Sequence, residues 1–196
     1  MWRLYRHSPP SCPQKAEIMF RLSLSFPKQQ ISHTFERKKM ENKTFNFKSK
    51  YFTLEELTAS PTARRLGINN VPTSDIIAAL QRLVTNILDP LREEWGAPII
   101  VSSGYRCTKL NTIVGGAKSS QHIYGQAADI RTLSDRPADN RLLRDLLIRL
   151  NLPFDQLIDE YGCDWLHVSH RAAGNRGQIL SAKRVKGKTV YTPGVK

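Results

Sequence analysis

The chain has no run of about 18 apolar residues, and so offers no membrane-spanning helix. It is short of cysteine, with only Cys12, Cys107 and Cys163. Three thiols cannot form a full disulfide set, and their spacing is neither that of a zinc ribbon nor that of a redox pair. The residue types allow a Cys107–Cys163 pair, but buried free thiols are the expectation. Acidic residues are also scarce, 17 Asp+Glu against 30 Lys+Arg, for a net charge of +13. Residues 1–50 hold 11 of those cations and only 3 of the acids, so the basic character is mainly that of the N-terminal stretch, with a second focus at Lys183, Arg184, Lys186 and Lys188. Such charge attracts polyanions such as nucleic acid, anionic lipid or cell-wall phosphate polymers, but solvated tails without a partner are the expectation. There is no recognition-helix or stacking-aromatic signature, so nucleic acid is not expected as a partner. The apolar patch from Met19 to Phe26 is short and broken by Arg21 and serines, so it does not read as a signal peptide. No internal repeat is visible.

What remains is a composition 40% hydrophobic over 196 residues, enough for one domain with a core. Residues 1–49 show no sustained periodicity and are expected to be a basic tail. Within it, residues 1–39 read as disordered or as an over-extended start ahead of Met40. The domain is expected over residues 50–183, with a second basic tail over 184–196.

Thr53-Leu54-Glu55-Glu56 predicts a capping box and a short helix ending before Pro61. From Ser74 to Trp95, apolar residues recur at three- and four-residue steps, which predicts an amphipathic helix. Pro90 should kink it, or restart it with Asp89 as cap, and Gly96 should close it. Strands are expected at Pro98–Ser103 and Gln126–Arg131, and a short helix at Arg106–Val114. A further helix at Pro137–Leu150 should present Leu142, Leu143, Leu146, Leu147 and Leu150 inward. Phe154–Asp159 and Trp165–His170 read as a hairpin, and Ile179–Ala182 as an edge strand. Helices and strands mix without regular alternation, so the expected class is α+β.

The chemistry concentrates in Ser120-Gln121-His122-Ile123-Tyr124-Gly125-Gln126-Ala127-Ala128-Asp129 and in Asp164-Trp165-Leu166-His167. Two imidazoles and a carboxylate, His122, Asp129 and His167, are the number of protein ligands a catalytic zinc takes while keeping a position open for water. Alternation puts Asp129 and His167 on outward faces of their strands, while Ala128, Ile130, Leu166 and Val168 turn to the core. His170 falls on the face opposite His167 and is not expected to ligate. Asp164, three residues before the last ligand, could accept a proton from the water. The plain alternative for Asp164 is a turn residue that starts a strand.

The string Ser-x-His-x2-Gly-x-Ala-x-Asp, followed by Asp-x-x-His, resembles the zinc peptidases that cleave D-alanyl-D-alanine and related cell-wall peptide bonds, especially their small phage-associated branch. Ile100-Val101-Ser102-Ser103-Gly104-Tyr105-Arg106 also looks like theirs. The resemblance covers about Tyr51 to Ala182. It implies a Hedgehog-like zinc peptidase fold, with a small antiparallel sheet carrying the metal and helices packed on one side. It implies that His122, Asp129 and His167 bind Zn²⁺, that Asp164 is the general base and then the acid that protonates the leaving amine, that Arg106 stabilises the substrate carbonyl or oxyanion, and that Ser120 helps hold the substrate's carboxylate end. The implied substrate is the peptidoglycan stem peptide, cut by a D,D-carboxypeptidase or an endolysin-type endopeptidase, acting as a monomer at the cell wall. The alternative is a non-catalytic binding module stabilised by zinc.

Overall fold

A computed structural model describes residues 46–194, so the expectation for residues 1–39 lies outside the described part. The capping box is present: Thr53 Oγ1 accepts the Glu56 amide at 3.2 Å, and the Glu56 carboxylate accepts the Thr53 amide at 2.7 Å. It opens α1 (Leu54–Thr58). A second short helix follows, α2 (Pro61–Arg65), which the sequence analysis did not anticipate; Ser60 caps it and Pro61 sits in its first turn.

The long amphipathic stretch is helical but changes pitch. It comprises α3 (Ser74–Leu83), a π-helical turn (Val84–Leu88) and α4 (Asp89–Trp95). Pro90 supplies a physical reason. It has no amide to donate, and its ring crowds the carbonyl four residues back, so a wider turn relieves the clash. Asp89 does not cap a restarted helix, because the backbone stays helical through Leu88 and Asp89. Its carboxylate instead accepts from Ser49 Oγ (2.7 Å) and the Lys50 amide (3.2 Å), tying down the segment before α1. Gly96 ends α4 in the left-handed region, at φ 71°.

The sheet comprises β1 (Ile99–Ser103), β2 (Ala127–Thr132), β3 (Gln156–Glu160), β4 (Trp165–Ser169), β5 (Gln178–Val185) and β6 (Lys188–Pro193), in the order β1-β2-β4-β3-β5-β6. α5 (Thr108–Ile113) and a 3₁₀ turn (Gln121–Tyr124) lie between β1 and β2, and α6 (Pro137–Arg149) between β2 and β3. The class is α+β, as expected. The sheet is larger than expected and not purely antiparallel, because β3 and β5 pair in parallel. The stretch expected as a basic tail from residue 184 continues β5, turns at Lys186-Gly187 and returns as β6. Both turn residues have positive φ, 49° and 77°, as a tight hairpin of right-handed twist requires. This hairpin is polar on both faces over much of its length, so it lacks the apolar alternation that announces a strand. β5 is consequently interior to the sheet rather than its edge.

One face of the sheet is covered. Ala128, Ile130, Leu157, Leu166 and Val168 pack with Leu80, Leu83, Ile87, Leu91, Leu143 and Leu147 from the helices. Leu142 was expected inside but is 58% exposed; the inward face of α6 is Leu143, Leu146 and Leu147, with Asn140 and Arg144. Arg144 reaches Asp159 of β3 at 3.3 Å, and Ser181 of β5 donates to the same carboxylate oxygen at 2.7 Å. Asp155, wholly buried before β3, holds the loop that leads into β5. It accepts from the Arg176 amide (3.1 Å), Arg176 Nε (2.9 Å) and Gln121 Nε2 (3.1 Å).

Burial alone would raise the Asp155 pKa, but the Arg176 hydrogen bonds outweigh it and the net direction is down. A depressed pKa contributes stability that is complete above the ordinary aspartate range and is lost as pH falls through the folded-state value. Asp155→Asn is therefore expected to cost about 1.5–3 kcal/mol at neutral pH and to flatten the acid limb of the stability curve below about pH 4. Urea titrations over a pH series read both effects. Gly104 lies against α1, where an added Cβ would sit 2.2 Å from the Leu57 carbonyl oxygen. Gly104→Ala is expected to lower the urea midpoint by an amount worth at least about 1–3 kcal/mol.

Candidate metal centre

The face left open by the helices carries Asp129 and His167. β2 and β4 pair antiparallel with Asp129 directly opposite His167, so the two side chains rise side by side. His122 arrives from the 3₁₀ turn before β2. That turn closes at Gly125 (φ 64°), where a Cβ would meet the Ile76 carbonyl at 2.8 Å. The turn thus lies directly on α3, and His122 is buried.

Each of these side chains is oriented by a neighbour. His122 Nδ1 lies 2.7 Å from the Gly104 carbonyl. A carbonyl only accepts, so Nδ1 carries the proton and Nε2 is left as a lone pair. Burial, the largest influence, lowers the His122 pKa and favours this neutral, ligating form. Arg106 Nη2 donates to Asp129 Oδ2 at 2.6 Å, and Arg106 Nε to Ser103 Oγ at 2.8 Å. That occupies one carboxylate oxygen and leaves Oδ1 facing the imidazoles.

Three electron-pair donors thereby converge. Asp129 Oδ1 is 3.1 Å from His122 Nε2 and 3.0 Å from His167 Nδ1, and the two nitrogens are 3.2 Å apart. A tetrahedral centre with zinc–ligand bonds of about 2.0–2.1 Å sets its ligand atoms roughly 3.3 Å apart. The triangle thus has the dimensions of one face of such a centre, and its donor set, two imidazoles and a carboxylate, could hold a metal ion.

A hollow of about 510 Å³ lies over the triangle, with Arg106, Ser120, Glu160, Trp165 and Tyr191 among its walls. Ser120 and Arg106, expected on the substrate side, are therefore both at the site. Asp164 is not among the residues of this hollow. It is exposed and lines a separate one of about 340 Å³ with Ser102, Arg131 and Trp165. Its backbone is pinned there, with its carbonyl accepting from Asn140 Nδ2 (3.0 Å) and its amide donating to the Glu160 carbonyl (3.0 Å). The acid in the hollow of the triangle is Glu160, at the end of β3, where burial raises its pKa. The strand expected at Phe154–Asp159 stops one residue short of Glu160, which the structure includes in β3. The signal that could have found it is alternation: Ile158 pairs with His167, so Glu160, two residues on, shares the open face. His170 is buried and lies away from the triangle, as alternation predicted, and Cys107 and Cys163 are free thiols.

Residues 50–169 match the family model for Peptidase M15. The chain belongs to the Peptidase M15 family. No curated protein is a significant match. The matched part of this M15 peptidase runs from before α1 to the end of β4 and includes the triangle, Arg106, Ser120 and Glu160, while β5 and β6 lie beyond it. M15 peptidases are typically zinc-dependent.

Zinc should bind this M15 peptidase at one equivalent, measured by elemental analysis after dialysis. Asp129→Ala and His167→Ala are expected to weaken binding by more than about 100-fold, the upper range for losing even an outer partner of a ligand. At free zinc a hundred times its dissociation constant, the melting transition should rise by the equivalent of about 2.7 kcal/mol, and a chelator should reverse the gain.

Proposed function

We propose that this M15 peptidase hydrolyses peptide bonds of peptidoglycan stem peptides, using a zinc ion held by His122, Asp129 and His167. The observation that carries the reading is the 3.0–3.2 Å donor triangle at the floor of a hollow that also contains a carboxylic acid, Glu160. Zinc at such a site polarises a carbonyl and lowers the pKa of water to about 7.

The remaining work falls to the chain's own groups. We assign the proton transfer to Glu160 in preference to Asp164, because Glu160 shares the hollow with the triangle and Asp164 lines another. Its pKa is raised by burial, which makes it a stronger proton acceptor than an exposed glutamate, and the acquired proton can pass to the leaving amine. Arg106 holds Asp129 in its ligating orientation. Its Nη1 has no hydrogen bond to the described residues and can face charge growing on the carbonyl oxygen. The Gly104 carbonyl holds His122 in the tautomer that ligates. The Ser120 hydroxyl makes no capping bond to its turn and is available to the substrate. The net charge of +13 favours approach to the anionic polymers of a cell wall.

The test is incubation of the zinc-loaded protein with purified wall peptides, with and without chelator, with products identified by mass spectrometry. Zinc-dependent bond cleavage is expected. Glu160→Gln should lower kcat about 10²–10⁴-fold with zinc content unchanged, whereas Asp164→Asn should stay within about tenfold of wild type. The reverse pattern would move the acid–base role to Asp164. Absence of any zinc-dependent cleavage would favour the non-catalytic binding module.

A further inference from the structure

The hollow over the triangle extends along the sheet. From His167 a row of paired residues continues through Ile158 to Leu180, and the next row runs Trp165, Glu160, Ala182, Tyr191. Ile158, Leu180 and Tyr191 all line the hollow, which therefore reaches from β2 to β6. On the opposite side, a second hollow of about 350 Å³ opens between α2 and β1, lined by Ser60, Thr62, Ser103, Tyr105 and Leu110 among others. Arg106, Val114 and Trp165 line both. The larger hollow holds the triangle, and the second continues it past Arg106 and Trp165 to β1, as parts of one groove. From β1 to β6 there are five strand spacings of about 4.8 Å, roughly 24 Å in all, the reach of about seven extended residues.

Charge gives a second, independent observation. A cation is the strongest partner a site can offer a substrate's terminal carboxylate. Among the described residues lining these two hollows, Arg106 is the one Lys or Arg; its Nε and Nη2 are bonded to Ser103 and Asp129, and Nη1 is the nitrogen given above to the substrate carbonyl oxygen. Arg131, in the hollow of Asp164, is bonded to Asp135 at 3.0 Å.

The far wall gives a third. Tyr191 is 53% exposed and stands opposite the small Ala182. Beside it, Tyr161 donates to or accepts from Thr189 Oγ1 at 2.9 Å, packs edge-on to Trp165 with ring centroids 5.3 Å apart, and lies under the Arg184 guanidinium at 5.6 Å. This wall is held by β5 and β6, which lie beyond the family-matched residues.

We infer that the site cuts an internal peptide bond of a chain lying across the sheet, with both substrate ends beyond the reacting bond, and that Tyr191 is a specificity-determining residue for the segment on the β6 side. This rests on the peptidase reading above and names its substrate class. The substrate segments next to the bond are uncharged, matching walls of serine, threonine, leucine and tyrosine.

The experiment uses the zinc-loaded full chain and one synthetic stem-type peptide of about eight residues in two forms, one with free termini and one N-acetylated and C-amidated. Both forms should be cut at the same internal bond, with kcat/KM within about threefold, since a site pairing a terminal carboxylate would lose more than about 30-fold on amidation. Tyr191→Ala should raise KM about tenfold with kcat within about twofold and zinc content unchanged, and Tyr191→Phe should restore wild-type KM. Calorimetry of the capped peptide with Glu160→Gln, alone and combined with Tyr191→Ala, should show the same tenfold loss in binding without turnover. Cleavage of the free-acid form alone, releasing its last residue, would overturn the inference and leave the peptidase reading standing. Cleavage of both forms with an unaltered KM in Tyr191→Ala would overturn the role of Tyr191. No cleavage of either form would overturn both this inference and the reading it rests on.

Discussion

The pairing register of β2 with β4 is the constraint on which the site depends. It sets Asp129 opposite His167, and the side-chain period of a strand is two. A slip of one residue in either strand would carry its ligand from the open face to the core and bring an apolar neighbour out. The register is held by what the reverse face buries. Ala128, Ile130, Leu166 and Val168 alternate with the ligands and pack on the helices. The geometry of the triangle and the stability of the core are thus two faces of one pairing.

The third member of the triangle depends on a different part of the chain. His122 is oriented by the Gly104 carbonyl, and the segment around Gly104 is held to α1 by the Tyr105 amide donating to the Leu57 carbonyl at 2.7 Å. Asn70 holds the same segment through bonds to the Tyr105 carbonyl (3.1 Å) and the Cys107 amide (2.7 Å). Arg106, between those two residues, clamps the remaining oxygen of Asp129. One short stretch, Ser103 to Cys107, therefore aims two members of the triangle without belonging to it. Outer partners of this kind fix tautomer and ring orientation, which a neutral imidazole cannot do alone.

The charge distribution divides the labour across the open face. Positive charge close to the triangle is spent on Asp129, and four further cations, Lys183, Arg184, Lys186 and Lys188, cluster on the β5–β6 hairpin. Lys188, at the start of the edge strand β6, also discourages pairing with another chain. Arg184 has a further role in place, lying over the Tyr161 ring and stiffening the wall of the groove.

The amino-acid sequence by itself determined the elements whose signals are local. The capping box at Thr53, the apolar stripe from Ser74 to Trp95, the alternation in β2 and β4 and the residue types of the triangle all act within a few positions of one another. The tertiary structure decided what depends on partners distant in the chain: that Glu160 rather than Asp164 shares the hollow with the triangle, that β5 runs parallel to β3, and that residues 188–193 form a strand. Each of these is a matter of which strand lies beside which, and a polar hairpin such as β5–β6 carries little apolar patterning to disclose its neighbour in advance. Periodicity shows which face a residue takes on its own strand, while only the assembled sheet shows which residues of other strands stand next to it.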